Sequence, residues 1–155
     1  YLDTLELLTL TIEGAAICAA ANSTLSKQQE VKAEMNRLWD EDYLYERTPA
    51  VLLDFITEHI GIEGIDAIYE LLQRNFRIGR SIPGLLTIKK TPLNSEIHEQ
   101  CVEAVCLLSS GEREMFSEKT VRLFDRIYRL VIEECKKLGY YEAAMEVYDG
   151  TALWK

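Results

Sequence analysis

The chain has 155 residues, of which 48% are hydrophobic and 28% are charged. This length suits one domain with an ordinary core, and this composition excludes an intrinsically disordered protein. The formal net charge of −9 argues against a general nucleic-acid binder, because contacts with phosphates require a basic surface. Three prolines and eight glycines are few interruptions for this length, which favours long helices.

The first third of the chain predicts two helices. Residues 2–21 carry apolar residues at helical spacing, and the alanine density after Gly14 favours helix over the strand-like alternation of residues 8–12. A polar turn follows at Asn22. The stretch Ser26-Lys-Gln-Gln29 matches a capping box and predicts that a second helix starts there. Its predicted apolar side is Val31, Met35 and Leu38.

The middle of the chain predicts two more helices. Thr48-Pro49 supplies a cap and a first-turn proline for the third helix, and Gly61 ends it. The fourth helix is predicted from about residue 62 to residue 77. Residues 78–92 break the helical pattern and predict an irregular loop. The predicted inward residues are Val51, Leu52, Phe55, Ile56 and Ile60 in the third helix, and Ile65, Ile68, Tyr69, Leu72 and Phe76 in the fourth.

The last third predicts a fifth helix, a long sixth helix and a short seventh one. Thr91-Pro92 or Asn94 is expected to cap the fifth helix. The sixth is expected to run from a cap at Ser117 to Gly139, which can adopt the left-handed conformation that ends a helix. Residues 140–148 predict the seventh. The predicted inward residues of the fifth helix are Ile97, Cys101, Ala104, Val105 and Leu108, and those of the sixth are Val121, Phe124, Ile127, Tyr128, Leu130, Val131, Cys135 and Leu138.

These elements together predict the fold class. Short connections between amphipathic helices place sequence neighbours antiparallel to each other. We therefore predict an all-α protein with a single helical domain over residues 1–155. Its expected architecture is a bundle of six to seven helices arranged as antiparallel hairpins.

Cysteine use and the N-terminus predict the compartment. The four cysteines form no Cys-x-x-Cys pair and lie on or beside apolar helix faces, which predicts buried reduced thiols and no zinc site. Acidic residues, not a basic leader, accompany the first apolar stretch, so a signal peptide is not expected. The longest wholly apolar run, residues 15–21, is far shorter than a bilayer span. A cytoplasmic protein without membrane attachment is the expectation.

The strongest anomaly in the charge pattern lies between Glu70 and Glu96, where no acidic residue occurs. Five cations give this stretch a charge of +5, which leaves −14 for the rest of the chain. Because arginine pairs well with anions, the stretch predicts a site for a protein partner or an anion. The alternative is that these cations favour a helix C-terminus and pair with the protein's own acids. We call the five cations, together with the phenylalanine among them, the basic segment: Arg74, Phe76, Arg77, Arg80, Lys89 and Lys90.

A second candidate surface mixes acids with aromatic residues. Such a patch can dock a basic partner or the basic segment of a second copy, since aromatic residues often anchor interfaces. The alternative is that its aromatic residues end a helix inside the core while the acids are solvated around them. We call this set the acidic–aromatic patch: Trp39, Asp40, Glu41, Asp42, Tyr43 and Tyr45.

Residue sets that carry catalysis are sparse in this sequence. His59 precedes Gly61 at a predicted helix end, and His98 borders an apolar face. Neither belongs to a Glu-x-x-His pair of the kind that di-iron bundles use. The chain also has no glycine-rich phosphate loop and no Gly-x-Ser-x-Gly motif. We therefore expect no catalytic residues, no metal site and no cofactor.

These observations predict a non-enzymatic, acidic α-helical domain that acts through protein–protein contacts, as an adaptor, a regulatory subunit or an immunity-type binder. A protein partner is expected, and oppositely charged patches also allow self-association. The alternative is a regulator that binds nucleic acid or a phosphorylated ligand through residues 74–90. A further alternative is an enzyme whose site the sequence does not reveal.

Overall fold

The structure, a computed structural model, describes residues 2–40, 48–78, 91–137 and 139. These residues form six α-helices and no strand, which confirms the predicted all-α bundle. The predicted helix over residues 140–148 and residues 79–90 of the predicted loop lie outside them. The helices are α1 (Leu2–Asn22), α2 (Leu25–Asp40), α3 (Thr48–Glu58), α4 (Ile65–Ile78), α5 (Pro92–Ser109) and α6 (Arg113–Lys137).

The helices pack in an order that differs from their order along the chain. α1 makes its most extensive contact with α6, while α2 packs on α5 and α3, and α3 packs on α4. α5 and α6 are antiparallel, because Glu103 pairs with Lys119 and, two turns away, Glu96 pairs with Arg126. α1 and α2 share few contacts although two residues connect them. The first helix and the last described helix are therefore close neighbours in the core.

The core face of α1 changes in size along the helix. Its first half buries large aliphatic side chains, and its second half buries four alanines. Small side chains allow neighbouring helices to approach closely, because the side chains at a contact set the distance between helix axes. The Ser117 hydroxyl of α6 reaches the backbone carbonyl of Glu13 in α1 at 3.3 Å, as a close approach requires. The buried alanines are Ala15, Ala16, Ala19 and Ala20.

The start of α2 differs from the prediction. The helix begins at Leu25, and the Lys27 amide donates a hydrogen bond to the Thr24 hydroxyl at 3.2 Å, which makes Thr24 the cap instead of Ser26. The buried side-chain amide of Gln28 donates a hydrogen bond to the Ser23 hydroxyl at 3.1 Å. Thr24 and Ser26 could each cap the helix. The start that uses Thr24 buries the Gln28 side chain, and this burial favours it.

The start of α6 also differs from the prediction. Ser117 lies inside the helix, which begins four residues earlier because α5 ends in a tight turn at Gly111 (φ 83°). In that turn the amide of Glu112 donates to the carbonyl of Leu107 at 2.9 Å. The early start brings Phe116 into the core with none of its surface exposed. At the other end, Gly139 has the expected left-handed conformation (φ 77°).

Most predicted inward residues are buried, and the exceptions are informative. In α6, Thr120 and Leu123 join the buried face, whereas Val121, Tyr128 and Leu130 are only partly buried and Leu138 lies outside the described residues. In α4, Tyr69, Leu72 and Phe76 are buried, but the inward positions predicted for Ile65 and Ile68 are wrong, since both side chains are exposed. Of the four reduced cysteines, Cys101 and Cys135 are buried, whereas Cys18 and Cys106 are half-buried.

Gly61 joins the end of α3 to the end of α1. It has a left-handed conformation (φ 71°), and a Cβ atom there would lie 2.7 Å from the amide nitrogen of Asn22. That amide donates hydrogen bonds to the carbonyls of His59 and Ile60, at 3.2 and 2.9 Å. Gly61→Ala is therefore expected to lower the free energy of unfolding by about 1–2 kcal/mol.

Gly14→Ala is the matched control for Gly61→Ala. Gly14 lies in the middle of α1 with open space where a Cβ atom would lie, so alanine is expected to raise the free energy of unfolding by about 0.5–1 kcal/mol. Urea unfolding of both variants measures the two changes. Changes of the same sign would contradict the described backbone at one of these glycines.

Candidate functional site

The described part of the basic segment contributes two residues to packing. The Phe76 ring is buried and lies against the Phe124 ring of α6, with 5.8 Å between centroids. The Arg77 guanidinium forms a bidentate ion pair with Asp54 of α3, which also accepts a hydrogen bond from Gln73. These contacts attach α4 to its neighbours.

The remaining members of the basic segment are not gathered into one described site. Arg74 is exposed on α4, whereas Arg80, Lys89 and Lys90 lie outside the described residues. An anion that approached Arg77 would compete with the Asp54 carboxylate for the same guanidinium. The binding role of the basic segment stays a prediction.

The acidic–aromatic patch is described only at its beginning. Trp39 is half-buried at the end of α2, and its ring stacks on His98 of α5 with centroids 4.6 Å apart. The His98 Nδ1 atom lies 2.7 Å from the hydroxyl of Thr48, the first residue of α3. Asp40 is exposed, and Glu41, Asp42, Tyr43 and Tyr45 lie outside the described residues. Trp39 and His98 together thus connect α2, α5 and α3, while the predicted docking role of the patch stays a prediction.

Local contacts and burial determine the environments of His59, Cys101 and Cys135. The His59 Nδ1–H donates to the carbonyl of Phe55 at 2.8 Å. Burial raises the pKa of the Cys101 thiol, and burial together with the nearby Glu134 carboxylate raises that of Cys135, so neither thiol is activated as a thiolate. Across the described ranges, no three His, Cys, Asp or Glu side chains are close enough to hold a metal ion.

An apolar groove lies between α1 and α4. The two segments are antiparallel, because the Ile60 carbonyl before α4 contacts the Asn22 side chain, whereas the Tyr69 hydroxyl lies 2.7 Å from the Thr11 hydroxyl. The groove has a volume of about 320 Å³. Its α1 wall consists of Leu7, Thr11, Gly14, Ala15 and Cys18, and the opposite side consists of Ile60, Ile62, Ile65, Ile68, Tyr69 and Leu72.

The groove exists because α4 packs closely on α3 and only lightly on α1. Gly14 contributes no side chain to the α1 wall, so space remains there. Between the two walls, the hydroxyls of Thr11 and Tyr69 form a hydrogen bond with each other. Burial raises the pKa of Tyr69 further above neutral pH, so this pair carries no charge.

Four of the aliphatic side chains that line the groove are exposed. Leu7 of α1 is 49% exposed, and Ile62, Ile65 and Ile68 on the opposite side are 48%, 39% and 52% exposed. Single exposed aliphatic residues are ordinary, but a cluster of them around a groove is typical of an interaction surface. One sequence signal predicts it: α1 carries apolar residues on all sides, which a helix with one core face does not need.

The two segments that form the groove are acidic. Residues 2–22 and 58–73 contain seven carboxylates and no lysine or arginine, and the nearest cation in sequence is Arg74 of α4. Six of these side chains are exposed and one is half-buried. Carboxylates of one sign create a negative potential over the surface that they surround. The seven are Asp3, Glu6, Glu13, Glu58, Glu63, Asp66 and Glu70.

Among the described helices, α1 is also long and apolar enough to cross a membrane by length and composition. Of the apolar window that meets this criterion, 44% is buried inside the bundle, and core helices of soluble proteins meet the same criterion. A signal sequence near the N-terminus has the same length and composition, so these two properties do not assign a location.

The described residues thus form one candidate surface. It has apolar walls joined by a hydrogen-bonded pair of hydroxyls, and the segments that form it carry seven carboxylates. Comparison of the chain with protein-family models, with curated proteins and with solved structures finds no match.

Proposed function

We propose that the protein is a non-enzymatic α-helical domain that binds a protein partner through the groove between α1 and α4. The observation that carries this proposal is the exposure of aliphatic side chains on both sides of one groove. Contact with water is unfavourable for these side chains, and a partner that covers them gains the free energy of apolar burial. An adaptor or a regulatory subunit fits this surface, because both act by binding.

The groove has the composition of an interface centre. Its walls are aliphatic, and charged side chains are depleted at the centre of protein interfaces and retained at their edges. The residue most suited to a test is Ile68, because it lines the groove and is half exposed. A charge placed there meets a partner's apolar side chains without disturbing the core of the free protein.

Capture of the partner from cells that express the protein tests this proposal, followed by binding measurements with the purified partner. Ile68→Glu is expected to weaken binding by about 30-fold or more, since a carboxylate would be buried against the partner's apolar side chains. Met115→Glu is the control, because Met115 is also half exposed but lies on α6 outside the groove. If both variants bind as the natural protein does, the groove is not the interface.

The alternative function uses the basic segment to bind nucleic acid or a phosphorylated ligand. The exposed side chain of Arg74 and the absence of acids between Glu70 and Glu96 favour it. Such binding weakens steeply with salt, because counterions are released on contact. A gel shift at low salt that is lost in Arg74→Glu and kept in Ile68→Glu would support this function over the groove.

A further inference from the structure

We propose that the partner segment in the groove is a basic amphipathic helix. This inference rests on the proposed function and specifies the chemistry of the partner: an apolar stripe flanked by lysine or arginine. Three observations lead to it, namely the shape of the groove, the hydrogen bonding of its walls and the sign of the surrounding charge.

The shape of the groove fits one helix. Along α1 its wall extends from Leu7 to Cys18, a length of about 16 Å at 1.5 Å per residue. A helix of about three turns covers this length and presents apolar side chains at positions i, i+3 or i+4, and i+7. The exposed ridges of α1 and α4 are suited to pack against the ridges of such a helix.

The backbone of the walls excludes an extended strand as the natural occupant. Strand addition requires an exposed sheet edge with unpaired amides and carbonyls. The main-chain groups of α1 and α4 bond within each helix, and the carbonyls of Ile60 and Ile62, in the connection before α4, accept hydrogen bonds from Asn22 and Asp66. The described ranges contain no strand. A bound segment must therefore satisfy its own backbone, which a helix does.

The surrounding charge selects a cationic partner over a second copy of this chain. Seven carboxylates and no cation occur in residues 2–22 and 58–73, and the whole chain carries −9. In a dimer across the groove these carboxylates would face each other, and like charges at an interface cost free energy. A partner helix with lysine or arginine beside its apolar stripe meets complementary charge and is attracted to the groove before contact.

The test uses three synthetic 18-residue helices with leucine at positions i, i+3, i+4 and i+7. Lysine flanks the leucines in the first, glutamine in the second and glutamate in the third. Fluorescence anisotropy with the full chain measures their affinities at two salt concentrations. The lysine helix is expected to bind at least about 10-fold more tightly than the glutamate helix, with the glutamine helix between them, and this difference should shrink at high salt.

Ile68→Glu separates docking in the groove from attraction to an acidic surface. The substitution adds a negative charge, so purely electrostatic binding of the lysine helix would be unchanged or tighter. The proposal instead expects at least about 10-fold weaker binding, because the apolar wall is interrupted. Met115→Glu adds the same charge outside the groove and is expected to retain the affinity.

Several outcomes would overturn the inference. A glutamate helix that binds as tightly as the lysine helix removes the basic partner. Dimerisation of the free protein that Ile68→Glu abolishes would assign the groove to a second copy, and binding to phosphatidylcholine vesicles that Ile68→Glu abolishes would assign it to lipid. A captured protein partner that is sensitive to Ile68→Glu but docks through an acidic or extended segment would overturn this inference and leave the proposed function in place.

Discussion

Phe116→Ala is expected to lower the free energy of unfolding by about 3–5 kcal/mol, the range for large aromatic side chains removed from a core. The Phe116 side chain is completely buried in the first turn of α6. Alanine would leave a cavity there, because the neighbouring helices cannot close over the missing ring without moving as units. This loss would be a large part of the stability of a domain of this size.

Met115→Ala is the control for this prediction. Met115 precedes Phe116 in the same turn, but its side chain is 50% exposed, so the change should stay within about 0.5 kcal/mol. Urea denaturation of both variants gives the two free energies. Equal losses in the two variants would contradict the start of α6 at Arg113. A helix that begins there places Phe116 inward and Met115 outward, whereas a later start would not bury Phe116 selectively.

Ala16→Leu is expected to lower the free energy of unfolding by about 2–3 kcal/mol, through overpacking. Ala16 is completely buried in the half of α1 where four alanines line the core face. Three additional carbon atoms would force the neighbouring helices apart or force side chains out of their preferred rotamers. Helix propensity does not explain such a loss, since leucine forms helices almost as well as alanine.

Ala21→Leu separates packing from helix formation. Ala21 lies in the same helix, but its side chain is exposed. This variant should unfold at nearly the same urea concentration as the natural protein. If Ala16→Leu does the same, the core around α1 has more room than the described packing allows.

Helical periodicity was sufficient to predict the fold class. Each described helix has apolar residues at helical spacing, and Thr91 and Gly139 mark ends that follow from local chemistry alone. The starts of α2 and α6 could not be predicted in this way. For α2, Thr24 and Ser26 are both competent caps. For α6, Ser117 also has the chemistry of a cap, but the helix starts before it and buries Phe116.

Helical periodicity alone did not locate the candidate site, because it identifies an apolar face without identifying what covers it. Ile65 and Ile68 have the spacing of core residues, yet no described helix covers them. Pairing between distant residues is equally hidden from sequence. Asp54 and Arg77 are 23 residues apart, and their ion pair changes how the basic segment is interpreted.

The hydrogen bond between Ser117 and Glu13 joins positions 104 residues apart in the chain. On the ribosome, α1 is therefore synthesised roughly 5–20 s before α6, at about 5–20 residues per second. Throughout that time its leucines and alanines lack their principal neighbour, and closing so long a loop costs entropy before the contact forms. Of the described helices, α1 thus remains longest without its principal neighbour during synthesis, when chaperones can bind it, and its core contact forms only when α6 arrives.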